Sequence, residues 1–298
     1  NCINWLTYHP IAYIKDWPGD YKSAAVITPM FSSEAQNINN LLKILGEEKI
    51  KVSFLIDPNL FLSAPNIPEG LKSYGDIWGV VDIGYSPSVN DTNFKLSPLN
   101  TQIEKLKRVK KDLEKISGTK VNGLVPFYGA FDNNTIKAAA STGFKYILTD
   151  SLTDRSVPKT LIYENERLMA FTKTARDDYE IIRDFGLTDK DFQFYTYQED
   201  IDRVMFEGGL YVFKPHTDYQ CKTENVEVIR DVIKDLKKKN FWITTADEIG
   251  NWYSSKDRVV LRIDKRGKTR VVLNVSNSGT ETLNELVIEV DLNDNAEM

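Results

Sequence analysis

Only two histidines occur in the chain, His9 and His216, and the second stands where chemistry is commonly placed. The stretch "GLYVFKPHTD" is an apolar run that ends in Lys214, Pro215 and His216. Lys214 and His216 share one side of a strand if it continues past the proline. A histidine there acts as a proton donor or acceptor, or is a hydrogen-bonded structural residue, and no partner base is evident beside it. Lys214 offers a contact to a substrate anion or hydroxyl. Asp150 closes another apolar run, "KYILTD", at a strand's C-terminal end, where an α/β barrel keeps its functional groups. Glu34 is the acid nearest the first loop, and the helix dipole alone accounts for an acid in a first turn.

The elements that must position these residues begin at Ala24. "AAVIT" is a short apolar, β-branched run of the kind buried on both faces of a parallel sheet. Ser33 with Gln36 forms a capping box, and Ile38, Leu41, Leu42 and Leu45 follow at helical spacing before Gly46. Strand and helix then alternate: "KVSFLID", "GVVDIG", a helix over 99 to 117, "NGLVPF", "NNTIKAAASTG", "KYILTD", "GLYVFK", "NVEVIRDVIKDLKKK", "FWITT" and "ADEIGNWY". Roughly seven or eight such units predict an α/β barrel in preference to a flat doubly wound sheet. No glycine-rich phosphate loop follows any strand.

Residues 1 to 22 are aromatic and broken by Pro10, Pro18 and Gly19, which predicts an extended lead-in. The barrel is expected over 23 to 255. From 256 to 298 strand follows strand, predicting a short β appendage or the start of a β-sandwich domain. Hydrophobic residues make up 41%, charged residues 27%, and the net charge is −5. That composition predicts an ordinary globular chain with no nucleic-acid partner, and no apolar run reaches the ~20 residues of a membrane span. The first residues lack the zones of a signal peptide, so secretion would require that segment to have been removed. Cys2 and Cys221 are the only cysteines; they are either free thiols or a disulfide suited to an oxidising compartment.

Taken together, the motifs resemble the polysaccharide deacetylases of the NodB-homology, carbohydrate esterase type, over roughly residues 20 to 255. That family's Thr-Phe-Asp-Asp-Gly matches Thr28-Pro29-Met30-Phe31-Ser32, so its catalytic-base Asp falls on Met30 and its metal-ligand Asp on Phe31. Its two ligand histidines fall on Ser86 and Asn90 in "DIGYSPSVN", after an Asp82 that is acidic in the family without being a ligand. Its Arg-Pro-Pro-Tyr-Gly matches Val125-Pro126-Phe127-Tyr128-Gly129, with the arginine lost to Val125. The last motif keeps its histidine, the family's general acid, as His216.

The resemblance implies a distorted (β/α) barrel whose metal-dependent chemistry has been abandoned. A divalent zinc, cobalt or nickel-type site needs nitrogen and oxygen ligands, and the resemblance places methionine, phenylalanine, serine and asparagine there, so no metal or other cofactor is expected. Trp78, Phe127, Tyr128 and Phe131 fall in or beside rim loops, where aromatic faces stack on sugar rings or pack against the protein. With Lys214, Asp150 and His216 they are expected to line a glycan groove. The reading that follows is an extracellular or cell-surface pseudoenzyme that binds a glycan and has envelope proteins as further partners. The rivals are an active carbohydrate-modifying hydrolase with a non-standard site around His216, and a structural surface interaction module.

Overall fold

The structure, a computed structural model of the chain, describes residues 11–32, 34–58, 71–81, 94–126, 129–150, 157–173, 175–266 and 270–291. Cys2, His9, Ser33, Asp82, Ser86, Asn90, Phe127 and Tyr128 lie outside these described residues. In chain order the strands are β1 (Ile11–Ile14), β2 (Ala24–Ile27), β3 (Val52–Ile56), β4 (Gly75–Val81), β5 (Gly123–Pro126), β6 (Tyr146–Asp150), β7 (Lys159–Tyr163), β8 (Glu166–Lys173), β9 (Leu210–Phe213), β10 (Trp242–Ile243), β11 (Val259–Arg266), β12 (Arg270–Asn277) and β13 (Ile288–Asp291). The helices are α1 (Ile38–Glu48), α2 (Leu99–Ser117), α3 (Asn133–Ser141), α4 (Lys190–Glu207), α5 (Glu227–Lys238) and α6 (Ala246–Lys256).

The chain divides into two compact units. Ser23–Gly250 is the α/β unit, and Asn1–Lys22 groups with Asn251–Met298. The lead-in and the appendage, read separately from sequence, therefore fall into one unit. There β1 pairs antiparallel with β13, and β11 with β12 in a hairpin.

In the α/β unit, β3, β4, β5, β6 and β8 lie side by side and parallel, while β2 is flanked by β9 and β10 in a second parallel sheet. Met30, just past β2, joins the two sheets by bridging to both Leu55 and His216, and β8 lies beside β9. The result is a distorted barrel. Strands such as β2, β3 and β9 are buried on both faces because helices cover the outside, whereas the edge strand β7 is largely exposed. Along β6, Ile147 enters the main apolar core with residues such as Leu41 and Leu45 of α1, whereas Leu148 and Asp150 face an internal cavity.

Two local expectations are corrected. Helix α1 runs through Gly46 to Glu48 and ends where Lys49 takes a left-handed backbone (φ 54) and donates its N–H to Leu45 O. The helix is entered through a short 3₁₀ turn, Ala35–Asn37, without a side-chain cap from Asn37. Between β6 and β8 the strand–helix alternation is replaced by the antiparallel hairpin β7–β8. Apolar residues at Leu161, Leu168 and Ala170 make that segment a strand pair lying on the core.

Candidate functional site

Met30, Val125, Asp150, Lys214 and His216, five positions singled out from sequence, line one cavity of about 200 Å³ at the C-terminal ends of the strands. They arrive from the ends of four strands or the turns just beyond them, Lys214 and His216 both following β9. The loop carrying Met30 is pinned there. Met30 N–H donates to Pro215 O at 2.9 Å, Thr217 N–H donates to Met30 O at 3.1 Å, and the Ser32 and Thr217 hydroxyls lie 2.8 Å apart. Phe31 points the other way, fully buried against Phe54 at 6.2 Å between ring centroids.

His216 is 1% exposed and is held by a residue the sequence reading missed. Asp178, completely buried, accepts the backbone N–H of His216 at 2.6 Å and that of Gln220 at 3.0 Å, and its other oxygen bonds His216 Nδ1. The histidine therefore does have an acidic partner. With Nδ1 bonded to a carboxylate, the proton on that nitrogen is fixed and Nε2 is left for proton transfer. The Tyr179 ring stacks on the imidazole at 3.6 Å, nearly parallel, and the Arg183 guanidinium lies over the tyrosine at 4.4 Å. Burial, and then the nearby Asp218 carboxylate, push the Tyr179 hydroxyl well above its ordinary pKa. Asp178 and Tyr179 both belong to the run "ARDDYE", two to seven residues past the end of β8, with Tyr179–Asp184 forming a π-helical turn. A pair of carboxylates and an aromatic just past a strand's C-terminal end was the available signal.

The same run brings charge to the cavity. Asp177 lies 3.5 Å from Lys173 and 3.7 Å from Lys214. Burial works against its charge, yet the two ammonium groups outweigh that and hold its carboxyl below the usual range. Lys173 donates to Ala175 O at 3.0 Å and to Glu180 at 3.2 Å. Burial disfavours its charge too, and Asp177 and Glu180 more than compensate, raising its pKa.

Asp150 stands exposed at the cavity mouth. Its backbone is fixed by Gly129, whose φ is +63° and whose missing Cβ would sit 2.2 Å from Asp150 N. Gly129→Ala is expected to lose at least about 1–2 kcal/mol from the left-handed backbone alone, and more from the clash, read as a lowered thermal midpoint.

Other expected site residues serve the framework. Trp78 is not at the rim: it is buried inside the barrel, 5.8 Å from Tyr146 and 5.4 Å from Phe171, and its indole N–H donates to Asp247 at 3.0 Å. Alternation along β4 turns it inward, one turn of the pleat below the cavity-lining Val80. Phe131 packs against the apolar core. Glu34 pairs with Lys222 at 3.0 Å on the surface, a bond that lowers its pKa.

By sequence, no family model and no curated protein matches the chain. By structure, a protein described as a polysaccharide deacetylase from Mycobacterium smegmatis superposes with a TM-score of 0.69 at 17% identity, covering 81% of this chain and 93% of that one. The fold is that of the polysaccharide deacetylases. A CE4-family pseudoenzyme from Bacillus anthracis shares it at a TM-score of 0.53 and 13% identity, over 78% of this chain and 66% of that one. A mutant of that pseudoenzyme with restored enzymatic activity aligns at 0.54 and 13% identity, over 78% and 68%.

At the described positions that the resemblance assigns to the metal and its base, Met30, Phe31 and Val125, no carboxylate or imidazole stands. The first loop presents the Met30 thioether to the cavity and buries Phe31, and Val125 is hydrocarbon. Among the described residues no three His, Cys, Asp or Glu side chains converge as metal ligands. No described helix is long and apolar enough to cross a membrane.

Proposed function

We propose that this chain is a deacetylase-like barrel that binds a sugar unit of a glycan in the Met30–His216 cavity without metal-dependent deacetylation, and that it works outside the cell or on its surface alongside envelope proteins. The observation that carries this reading is the first loop, which holds its backbone tightly against β3 and the His216 turn while offering a thioether where the resemblance calls for a catalytic carboxylate. A metal-activated water needs both an open ligand set and a general base, and neither is supplied by Met30, Phe31 or Val125. A cavity of about 200 Å³ is below the ~300–1,000 Å³ of sites for drug-sized ligands, which suits one ring or end group of a longer chain.

A second reading rests on Asp178. A histidine oriented by a buried carboxylate, with Asp150 in the same cavity, is an arrangement for metal-free proton transfer. One experiment separates the two. The purified protein is incubated with zinc or cobalt, its bound metal measured, and acetate release from an acetylated amino-sugar oligomer followed with and without chelator, beside binding to a glycan array. Glycan binding with neither metal nor acetate is the expected result. Stoichiometric metal with turnover overturns the proposal, and chelator-resistant acetate release that disappears in His216→Gln establishes the second reading instead.

A further inference from the structure

Among the described residues, the cavity contains a cation whose hydrogen-bonding capacity is unspent. Lys214 follows β9 directly, its side chain is 14% exposed, and its ion partner among the described residues, Asp177, lies 3.7 Å away, too far for a hydrogen bond. That carboxylate is shared with Lys173 at 3.5 Å and also accepts the backbone N–H groups of Tyr179 and Glu180. Lys173, by contrast, donates to a carbonyl and to Glu180. Among the described residues the three N–H donors of Lys214 meet no acceptor, although a largely desolvated ammonium is costly unless it is paired and hydrogen-bonded. The group is not sealed off, since it lines the cavity together with His216 and the apolar walls of Met30, Val80 and Val125.

We infer that Lys214 is the anchor for a carboxylate on the bound sugar, so that the cavity takes an acidic saccharide, a hexuronic acid or a carboxyl-bearing amino sugar, in preference to a neutral one. This rests on the proposed glycan-binding reading and adds the charge of the ligand to it. The carboxylate enters toward Lys214 and completes the ammonium's hydrogen bonds, a charge-assisted pairing stronger in this half-buried setting than at the surface. Asp150, exposed at the mouth, then faces the hydroxyl side of the ring, where an acceptor matches sugar O–H donors. An acid group turned outward instead would meet Asp150 and be repelled. Lys214 inside and Asp150 at the mouth thereby orient the sugar, because the other charges lining the cavity are paired, Lys173 with Asp177 and Glu180, and Arg183 with Asp184.

The test measures calorimetric binding of a tetrasaccharide alternating N-acetylglucosamine with glucuronic acid, and of the same tetrasaccharide with its carboxyl groups reduced to alcohols. The wild-type chain is expected to bind the acidic form at least about tenfold more tightly, with affinity falling as salt rises. Lys214→Gln is expected to abolish that preference, and Lys214→Arg to retain most of it, which separates loss of charge from loss of fold; the circular dichroism spectrum of each variant is compared with wild type. Equal wild-type affinity for the two forms overturns the inference and leaves the glycan reading standing. Binding of neither form overturns both. A preference that survives in folded Lys214→Gln shows that another group reads the charge and also overturns it.

Discussion

Replacing Phe31 with aspartate is expected to cost the fold more than about 5 kcal/mol, whereas Met30→Asp, one residue earlier, is expected to cost no more than about 1–2 kcal/mol. Both substitutions restore a carboxylate that the family resemblance calls for, so sequence gives no reason to tell them apart. The structure does. Phe31 is 1% exposed and packs edge-on against Phe54 and the residues of α1. Truncating a buried phenylalanine alone removes about 3–5 kcal/mol, and a carboxylate in its place has no cation among its described neighbours to offset its desolvation. It must either protonate or open the core. Met30 lines the cavity, where an aspartate reaches water and stands near Lys214 and Lys173. Urea unfolding of the two variants reads the difference. A Phe31→Asp protein with a wild-type midpoint would show that this position opens to the cavity after all. Packing occupies the position that the resemblance assigns to a metal ligand, so placing a carboxylate there would require rebuilding the wall of the core as well as the motif.

The barrel was legible in sequence because its signals are local and repeated: short apolar runs such as "AAVIT" and "GLYVFK", each followed by a helix with one apolar stripe. The hairpin β7–β8 was not, because its alternation is broken by Glu164 and Asn165 at the turn and lies between elements that obey the strand–helix rhythm. At the site, residues placed at strand ends, Asp150, Lys214 and His216, were found because a barrel has one functional rim. Asp178 and Tyr179 were missed for a different reason. Their importance is relational: a buried aspartate means little until the fold brings it against an imidazole 38 residues away. Trp78 erred in the opposite sense, since an aromatic near a strand reads as a rim platform or as core, and only the inward phase of β4 decides between them.

Below that rim the barrel holds a second pair of carboxylates, and Asp76→Asn is expected to flatten the chain's loss of stability with rising pH. Asp76, on β4, accepts the backbone N–H of Asp247 through Oδ2 at 2.9 Å, while its Oδ1 is buried without a hydrogen-bond partner. Asp247 is the better provided of the two, accepting from the Trp78 indole at 3.0 Å and from Asn122 at 2.6 Å. Burial first, and then the charge of Asp247, push the Asp76 pKa up from 3.8 to about 7; the Ser53 and Thr245 hydroxyls pull weakly the other way. The sign follows from proton counting. Below about pH 4 both folded and unfolded chains hold the proton and no penalty arises. Between about pH 4 and 7 the unfolded chain has released a proton that the folded one retains, so stability falls as pH rises, by at most about 1.4 kcal/mol per pH unit for one proton, and the loss levels off above about pH 7. An asparagine keeps the shape and the acceptor for Asp247 N–H but has no proton to release. The difference between wild-type and variant unfolding free energies, followed by urea titration from about pH 5 to about pH 8, isolates the coupled Asp76–Asp247 pair from the chain's other carboxylates. Asp76→Asn is expected to gain on the wild type steadily across that range and to overtake it near neutrality. Parallel curves would mean that Asp76 is already ionised in the folded barrel and that its unpartnered oxygen is reached by solvent.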